Sequence, residues 1–195
     1  MMPSFPFLKL PFLAIQNTVH HMSCTEITEL SMCSRRSKRL MQSIRHPGLT
    51  DIEITIDRLR MYVTLKNRME DCLSWSIKTE LEVESFRHLY RDDDLGGVNV
   101  KVIKFNDSCF LIYAPRQPEN FIKTLVDHLK DVFKLPLTVY FKLTEIENYR
   151  RFLPIFPVCY RFFFYGIDKI SGEELQFIKD NVVVEWWAEY YTSEK

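Results

Sequence analysis

Residues 44–65 read IRHPGLTDIEITIDRLRMYVTL, and within them the spacing of the apolar residues changes from that of a helix to that of a strand. From residue 52 onward, apolar residues stand at every second position, which is the period of a half-buried β-strand. Two consecutive strands are therefore predicted, over 52–56 and 61–65. The His-Pro-Gly sequence at 46–48 favours a turn and ends any helix that precedes it.

Upstream of this turn, the apolar spacing is that of amphipathic helices. Ile15, Val19 and Met22 recur at intervals of four and three, which places them on one helix face. A serine and a glutamate at 23 and 26 have the spacing of a capping box and predict the start of a second helix. A third, basic helix is predicted over 34–43.

Downstream of the turn, strands are followed by alternating helices and strands. The predicted strands are 73–77, 98–102, 109–114, 137–141, 159–164 and 182–187, the predicted helices are 118–133 and 171–180, and the acidic segment 91–97 is expected to be a solvated loop. Strand starts near Leu137, Tyr160 and Val183 lie about 23 residues apart, within the range of leucine-rich-repeat-like units.

The predicted fold class is therefore α+β. A small N-terminal helical module over residues 1–46 precedes a mixed β-sheet domain over residues 47–195, which ends in α/β, leucine-rich-repeat-like units. The charge changes at the same boundary, since residues 1–50 contain six Lys or Arg side chains but only two Glu.

Composition excludes several functional classes. With 26 basic and 26 acidic residues the net charge is zero, so neither nucleic acid nor an anionic membrane is an expected partner. The five glycines never cluster as a phosphate-binding loop requires. Five scattered cysteines, an odd number without a CxxC pair, favour a reducing intracellular compartment, cytoplasmic or nuclear. No apolar run approaches the roughly 20 residues of a membrane span.

No catalytic or metal-binding pattern emerges. His20, His21 and Cys24 do not have the ligand spacing of a structural zinc site, and the chain has no CxxC pair that could complete one. Nothing distinguishes any cysteine and histidine as a catalytic pair. The chain is therefore expected not to be an enzyme, and no cofactor or metal is predicted.

Short helices in a module of about 40 residues cannot cover one another's apolar faces, so something else must cover them. Two arrangements are open: a partner protein completes the core, or the helices pack on the C-terminal domain of the same chain. The candidate partner-binding side chains are mostly apolar, and two further positions, Ser34 and Leu40, come from the resemblance described next. The full set is Leu10, Pro11, Ile15, Val19, Met22, Ile27, Leu30, Ser34 and Leu40.

The N-terminal string resembles the F-box, in particular that of the F-box families expanded in nematodes. The shared features are the Leu10-Pro11 start, the hydrophobic spacing, an acidic residue before Ile27, and the turn at 33–35. The resemblance implies docking on a Skp-type adaptor and, through it, on a cullin of a ubiquitin ligase. The family commonly has proline where Cys24 stands and tryptophan where Ser37 stands, and the loss of a large aromatic implies weaker adaptor binding.

The remainder of the chain resembles, more loosely, the F-box-associated region that recruits an unknown target protein. Relatives often run further, so the resemblance also implies a shortened form. Exposed aromatics are favoured interface anchors, and the candidate target-binding residues are Phe163, Tyr165, Trp186 and Trp187. Core packing is the alternative for these residues. The competing function is a self-contained interaction or structural domain without ligase association.

Overall fold

The structure, a computed structural model, describes residues 7–46, 48–57, 61–68, 70–79, 91–95, 98–114, 117–142, 146, 148–165 and 171–187. The α-helices of these residues are α1 (Phe12–His20), α2 (Cys24–Cys33), α3 (Arg35–Ser43), α4 (Pro118–Phe133) and α5 (Gly172–Asn181). The strands are β1 (Leu49–Ile56), β2 (Met61–Asn67), β3 (Asp71–Lys78), β4 (Arg91–Leu95), β5 (Val98–Asn106), β6 (Cys109–Tyr113), β7 (Leu137–Lys142), β8 (Val158–Tyr165) and β9 (Val183–Trp187). Short 3-10 helices span Phe7–Lys9 and Tyr149–Ile155.

The strands form one mixed sheet in the order β4-β5-β6-β3-β2-β1-β7-β8-β9. Antiparallel pairing joins β1 to β2 and β2 to β3, and also β4 to β5 and β5 to β6. The pairs β3–β6, β1–β7, β7–β8 and β8–β9 are parallel. Parallel neighbours need crossover connections, and α4, the second 3-10 helix and α5 lie in the connections that lead into β7, β8 and β9. The predicted α+β class with a mixed sheet is confirmed.

One face of the sheet carries the core. Ile52, Ile54 and Ile56 of β1 are fully buried, whereas the intervening Glu53 and Thr55 are half-buried, as the period of two predicts. The apolar face of α4 belongs to the same buried cluster. It comprises Phe121, Ile122, Leu125, Val126, Leu129, Val132 and Phe133.

The N-terminal helices share this core. Ile15 and Val19 of α1, Ile27 of α2 and Met41 of α3 are buried in the same cluster as the apolar side chains of the sheet. The change of period near residue 47 therefore marks a change from helix to strand within one continuous core.

The prediction of a solvated loop over 91–97 is wrong for residues 91–95, which form β4. This strand pairs with β5, Arg91 opposite Val102 and Leu95 opposite Val98, and it is the terminal strand of the sheet. Its three successive aspartates show no strand propensity, so backbone pairing with β5 overrides the local preference. The remaining residues of the segment, 96–97, lie outside the described chain.

Candidate docking site on the N-terminal helices

Helix α1 has one buried side and one exposed side. Ile15 and Val19 lie one turn apart and are both buried in the core. Phe12 and Leu13, at the start of the helix, are 48% and 73% exposed, and Pro11 before them is also exposed. Leu13 precedes Ile15 by two positions and so lies about 200° from it around the helix axis. The first turn of α1 therefore presents an apolar surface, Pro11, Phe12 and Leu13, that the described residues of the chain do not cover.

Helix α2 begins with the predicted capping box, which is confirmed. The Ser23 backbone N–H donates to Glu26 Oε2 at 2.8 Å, and the Glu26 N–H donates to Ser23 Oγ at 3.2 Å. The hydrogen bonds from Ser23 stabilise the charged carboxylate and lower the pKa of Glu26. This cap fixes where α2 starts and directs Ile27 into the core.

Polar contacts attach α2 to the sheet and to α4. The Thr25 hydroxyl donates to the backbone carbonyl of Asp107 in the turn between β5 and β6. Ser31 Oγ lies 2.7 Å from Nε2 of His128 on α4. Burial lowers the pKa of His128, with Lys38 acting in the same direction and Asp131 opposing it. The imidazole is therefore held neutral against the Ser31 hydroxyl near neutral pH.

Helix α3 is also tied to α4. Ser34 Oγ caps it by accepting the Ser37 N–H at 3.0 Å, and Met41 is buried against the core. Lys38 Nζ pairs with Asp131 Oδ2 of α4 at 2.7 Å. Because both members of this pair are substantially exposed, it orients the helices more than it stabilises them.

The nine predicted docking residues fall into three groups. Ile15, Val19 and Ile27 are buried within the chain, so these side chains offer no surface to a partner in this structure. Pro11 and Ser34 are exposed. The four that remain are half-buried and packed against the core: Leu10, Met22, Leu30 and Leu40.

Phe12 and Leu13 were not among the predicted docking residues. For Leu13 the signal that could have identified it is its position relative to the stripe, since a leucine about 200° from Ile15 cannot share its buried face. Large apolar side chains at such positions indicate either solvent exposure or a second contact surface. Phe12 lies seven residues before Val19 and so on the same side as the stripe, and the spacing gave no sign of its exposure.

The predicted target-binding aromatics occupy the C-terminal strands. Phe162 and Phe164 are buried, and Phe163 between them is half-buried on the opposite face. There its ring stacks on Tyr140 of β7, with centroids 4.6 Å apart and planes at 7°. Trp186 on the edge strand β9 is 66% exposed. The side chains of the other two candidates, Tyr165 and Trp187, lie outside the described set.

The two histidines and Cys24 form no metal site. No group of three or more potential ligands occurs among the described residues. Cys24 instead lies beside the thiol of Cys72 on β3, and burial, followed by the effect of this neighbour, raises the pKa of Cys24 to about 12. Cys24 is therefore a protonated thiol at neutral pH and a poor nucleophile.

Comparison of the chain with protein-family models, with curated proteins and with solved structures found no match in any of the three. Within the described residues, none of the helices is both long and apolar enough to cross a bilayer. The case for a function therefore rests on the residues and on the geometry of the first three helices.

Proposed function

We propose that the chain is a substrate-receptor adaptor of a cullin-type ubiquitin ligase, with an F-box-like module that docks on a Skp-type subunit. The observation that supports this most directly is the uncovered apolar surface of Pro11, Phe12 and Leu13 at the start of α1. Apolar side chains clustered at one point of a surface are typical of a protein-binding site. The same positions begin the part of the sequence that resembles an F-box.

The proposed mechanism is tethering. The N-terminal helices bind the adaptor, and the sheet, with Phe163 and Trp186 among its accessible aromatics, holds a target protein. Linking two partners in this way raises their effective concentration toward the millimolar range, without a catalytic residue in this chain. All five cysteines are free thiols, which fits the proposed intracellular location.

The arrangement of the C-terminal strands supports assigning them to leucine-rich-repeat-like units. β7, β8 and β9 are parallel and successive, with the second 3-10 helix and α5 between them. We infer that these strands are leucine-rich-repeat-like units of an F-box-associated region, which would recruit the target.

The test is capture of a purified Skp-type adaptor and its cullin by the full chain. The double variant Phe12→Ala, Leu13→Ala is expected to weaken capture at least about tenfold, because exposed aromatic and leucine side chains act as interface anchors. The matched control is Val158→Ala, Val183→Ala, which removes two paired apolar side chains of similar exposure, 49% and 65%. The two valines lie on β8 and β9. In the sheet, β9 is five strands away from β3, or roughly 24 Å, and β3 is the strand that α2 contacts.

A second candidate function is a self-contained interaction or structural domain. The shared core favours it, because Ile15, Val19 and Ile27 already have partners inside the chain. Wild-type protein that fails to capture the adaptor, or capture that the α1 variant leaves unchanged, would support this second function and reject the first.

A further inference from the structure

A cavity of about 740 Å³ lies where the end of α3, the start of β1 and the end of α4 meet. This volume lies within the range of small-molecule pockets. The cavity is separate from the exposed surface of α1 and from the aromatic strands β8 and β9, and none of the residues that line it was a predicted site residue.

Among the described residues that line the cavity, the charged side chains are all basic. Arg45 follows α3, Arg68 follows β2 and Lys134 follows α4, so they reach the cavity from three separate elements. All three side chains are exposed, and none of these side chains has an ion pair or hydrogen bond with the described part of the chain. No carboxylate is among the described lining residues. Unopposed positive charge around a concave surface attracts anionic ligands.

The same cavity has an apolar floor. Ile44, Val132 and Phe133 line it and belong to the buried core. His46 contacts the ring of Phe133 edge-on, with centroids 5.0 Å apart, and its Nε2 lies 3.2 Å from the Met41 carbonyl oxygen. These contacts hold the imidazole in place beside the floor.

The backbone at the end of α4 places one of the three cations. Lys134 ends the helix in the left-handed region, φ 54°, where glycine or asparagine is the usual residue. Its N–H still closes the last turn by donating to the Lys130 carbonyl at 2.9 Å. The helix end therefore fixes the backbone of Lys134 beside the cavity.

We propose that this cavity binds an acidic polypeptide segment, with carboxylates at Arg45, Arg68 and Lys134 and an apolar side chain on the Phe133 floor. A peptide fits better than a small inorganic anion because the cations come from three elements around an apolar surface, which an inorganic anion would leave uncovered. The inference rests on the proposed function only in assigning the segment to a target protein.

The test uses the full chain and a fluorescein-labelled peptide in which pairs of glutamates flank single leucines, followed by fluorescence anisotropy. The variant Arg45→Gln, Arg68→Gln is expected to bind roughly tenfold more weakly. The control Lys101→Gln, Arg150→Gln removes the same charge from exposed positions outside the cavity and is expected to bind as wild type. Binding should weaken with salt, since the Debye length falls from about 10 Å at 0.1 M to about 3 Å at 1 M.

Several results would overturn the inference: equal losses in the two double variants, equal binding of a peptide with lysines in place of glutamates, full competition by inorganic phosphate, or tighter binding of a single-stranded oligonucleotide. Adaptor capture is measured on the same preparations. Protein that captures the adaptor but not the acidic peptide refutes this inference alone, whereas peptide binding without adaptor capture refutes the proposed ligase function alone.

Discussion

The position of Ile27 in the core leads to a prediction that separates internal packing from partner binding. Ile27 is only 5% exposed, and replacement by alanine removes three buried carbon atoms. At about 0.8 kcal/mol per buried methylene, the transfer cost is about 2.5 kcal/mol, and the cavity left behind raises the total to about 3–4 kcal/mol. Leu13→Ala, at a side chain that is mostly exposed, should change the free energy of unfolding by less than about 0.5 kcal/mol.

Urea unfolding of the isolated chain, followed by far-UV circular dichroism, measures both variants. With a slope of about 2 kcal/mol per molar urea, Ile27→Ala should lower the midpoint by about 1.5–2 M, and Leu13→Ala should leave it within about 0.3 M of wild type. Adaptor capture, measured without urea so that both variants are folded, gives the second measurement. The expected pattern is opposite for the two variants, with Leu13→Ala weakening capture and Ile27→Ala affecting stability.

One result would refute this reasoning. If Ile27→Ala unfolded at the wild-type midpoint and also lost the adaptor, the side chain would have to face a partner, and the packing of α2 against the sheet would be wrong. A large loss of stability with Leu13→Ala would likewise contradict the exposure of the first turn of α1.

Three other predictions concern buried groups. Burial lowers the pKa of His46 and His128 below 6.5, so the unfolded chain takes up protons first as the pH falls. The free energy of unfolding should be lower at about pH 5.5 than at about pH 7.5, and the difference should be smaller in His128→Gln, as urea midpoints at these two values would show. Phe141→Ala should cost about 3–5 kcal/mol in thermal or urea unfolding, because this buried ring contacts four other aromatic rings. A thiol reagent at pH 8 should modify the exposed Cys33 before Cys24, whose pKa is about 12, as mass spectrometry of the labelled peptides would show. Labelling of Cys24 first would contradict this prediction.

Local patterns in the sequence predicted most of the secondary structure. The alternation over 52–56 requires only neighbouring residues, and the capping boxes at Ser23 and Ser171 are complete within four residues, so both were visible without a fold. The same holds for Pro118 in the first turn of α4. Each of these signals arises from backbone or side-chain chemistry inside one element.

Signals that depend on another element were missed. β4 was predicted as a loop because its aspartates give no local indication of a strand, and only its pairing with β5, from Arg91–Val102 to Leu95–Val98, places it in the sheet. For the N-terminal helices, the spacing identified the apolar stripe but not what covers it. Ile15 and Val19 are covered by the chain itself, while Leu13, outside the stripe, is left exposed.

The two sides of α1 depend on each other. Ile15 and Val19 fix the rotation of the helix against the core, and this rotation turns Leu13 outward. A partner that binds the first turn therefore meets a helix that is already ordered, and association does not have to offset the conformational entropy of folding nine residues. In a detached N-terminal segment the same helix would be too short to persist in water. The core contacts that make Ile15 and Val19 unavailable to a partner are thus what makes the neighbouring exposed surface rigid enough to bind one.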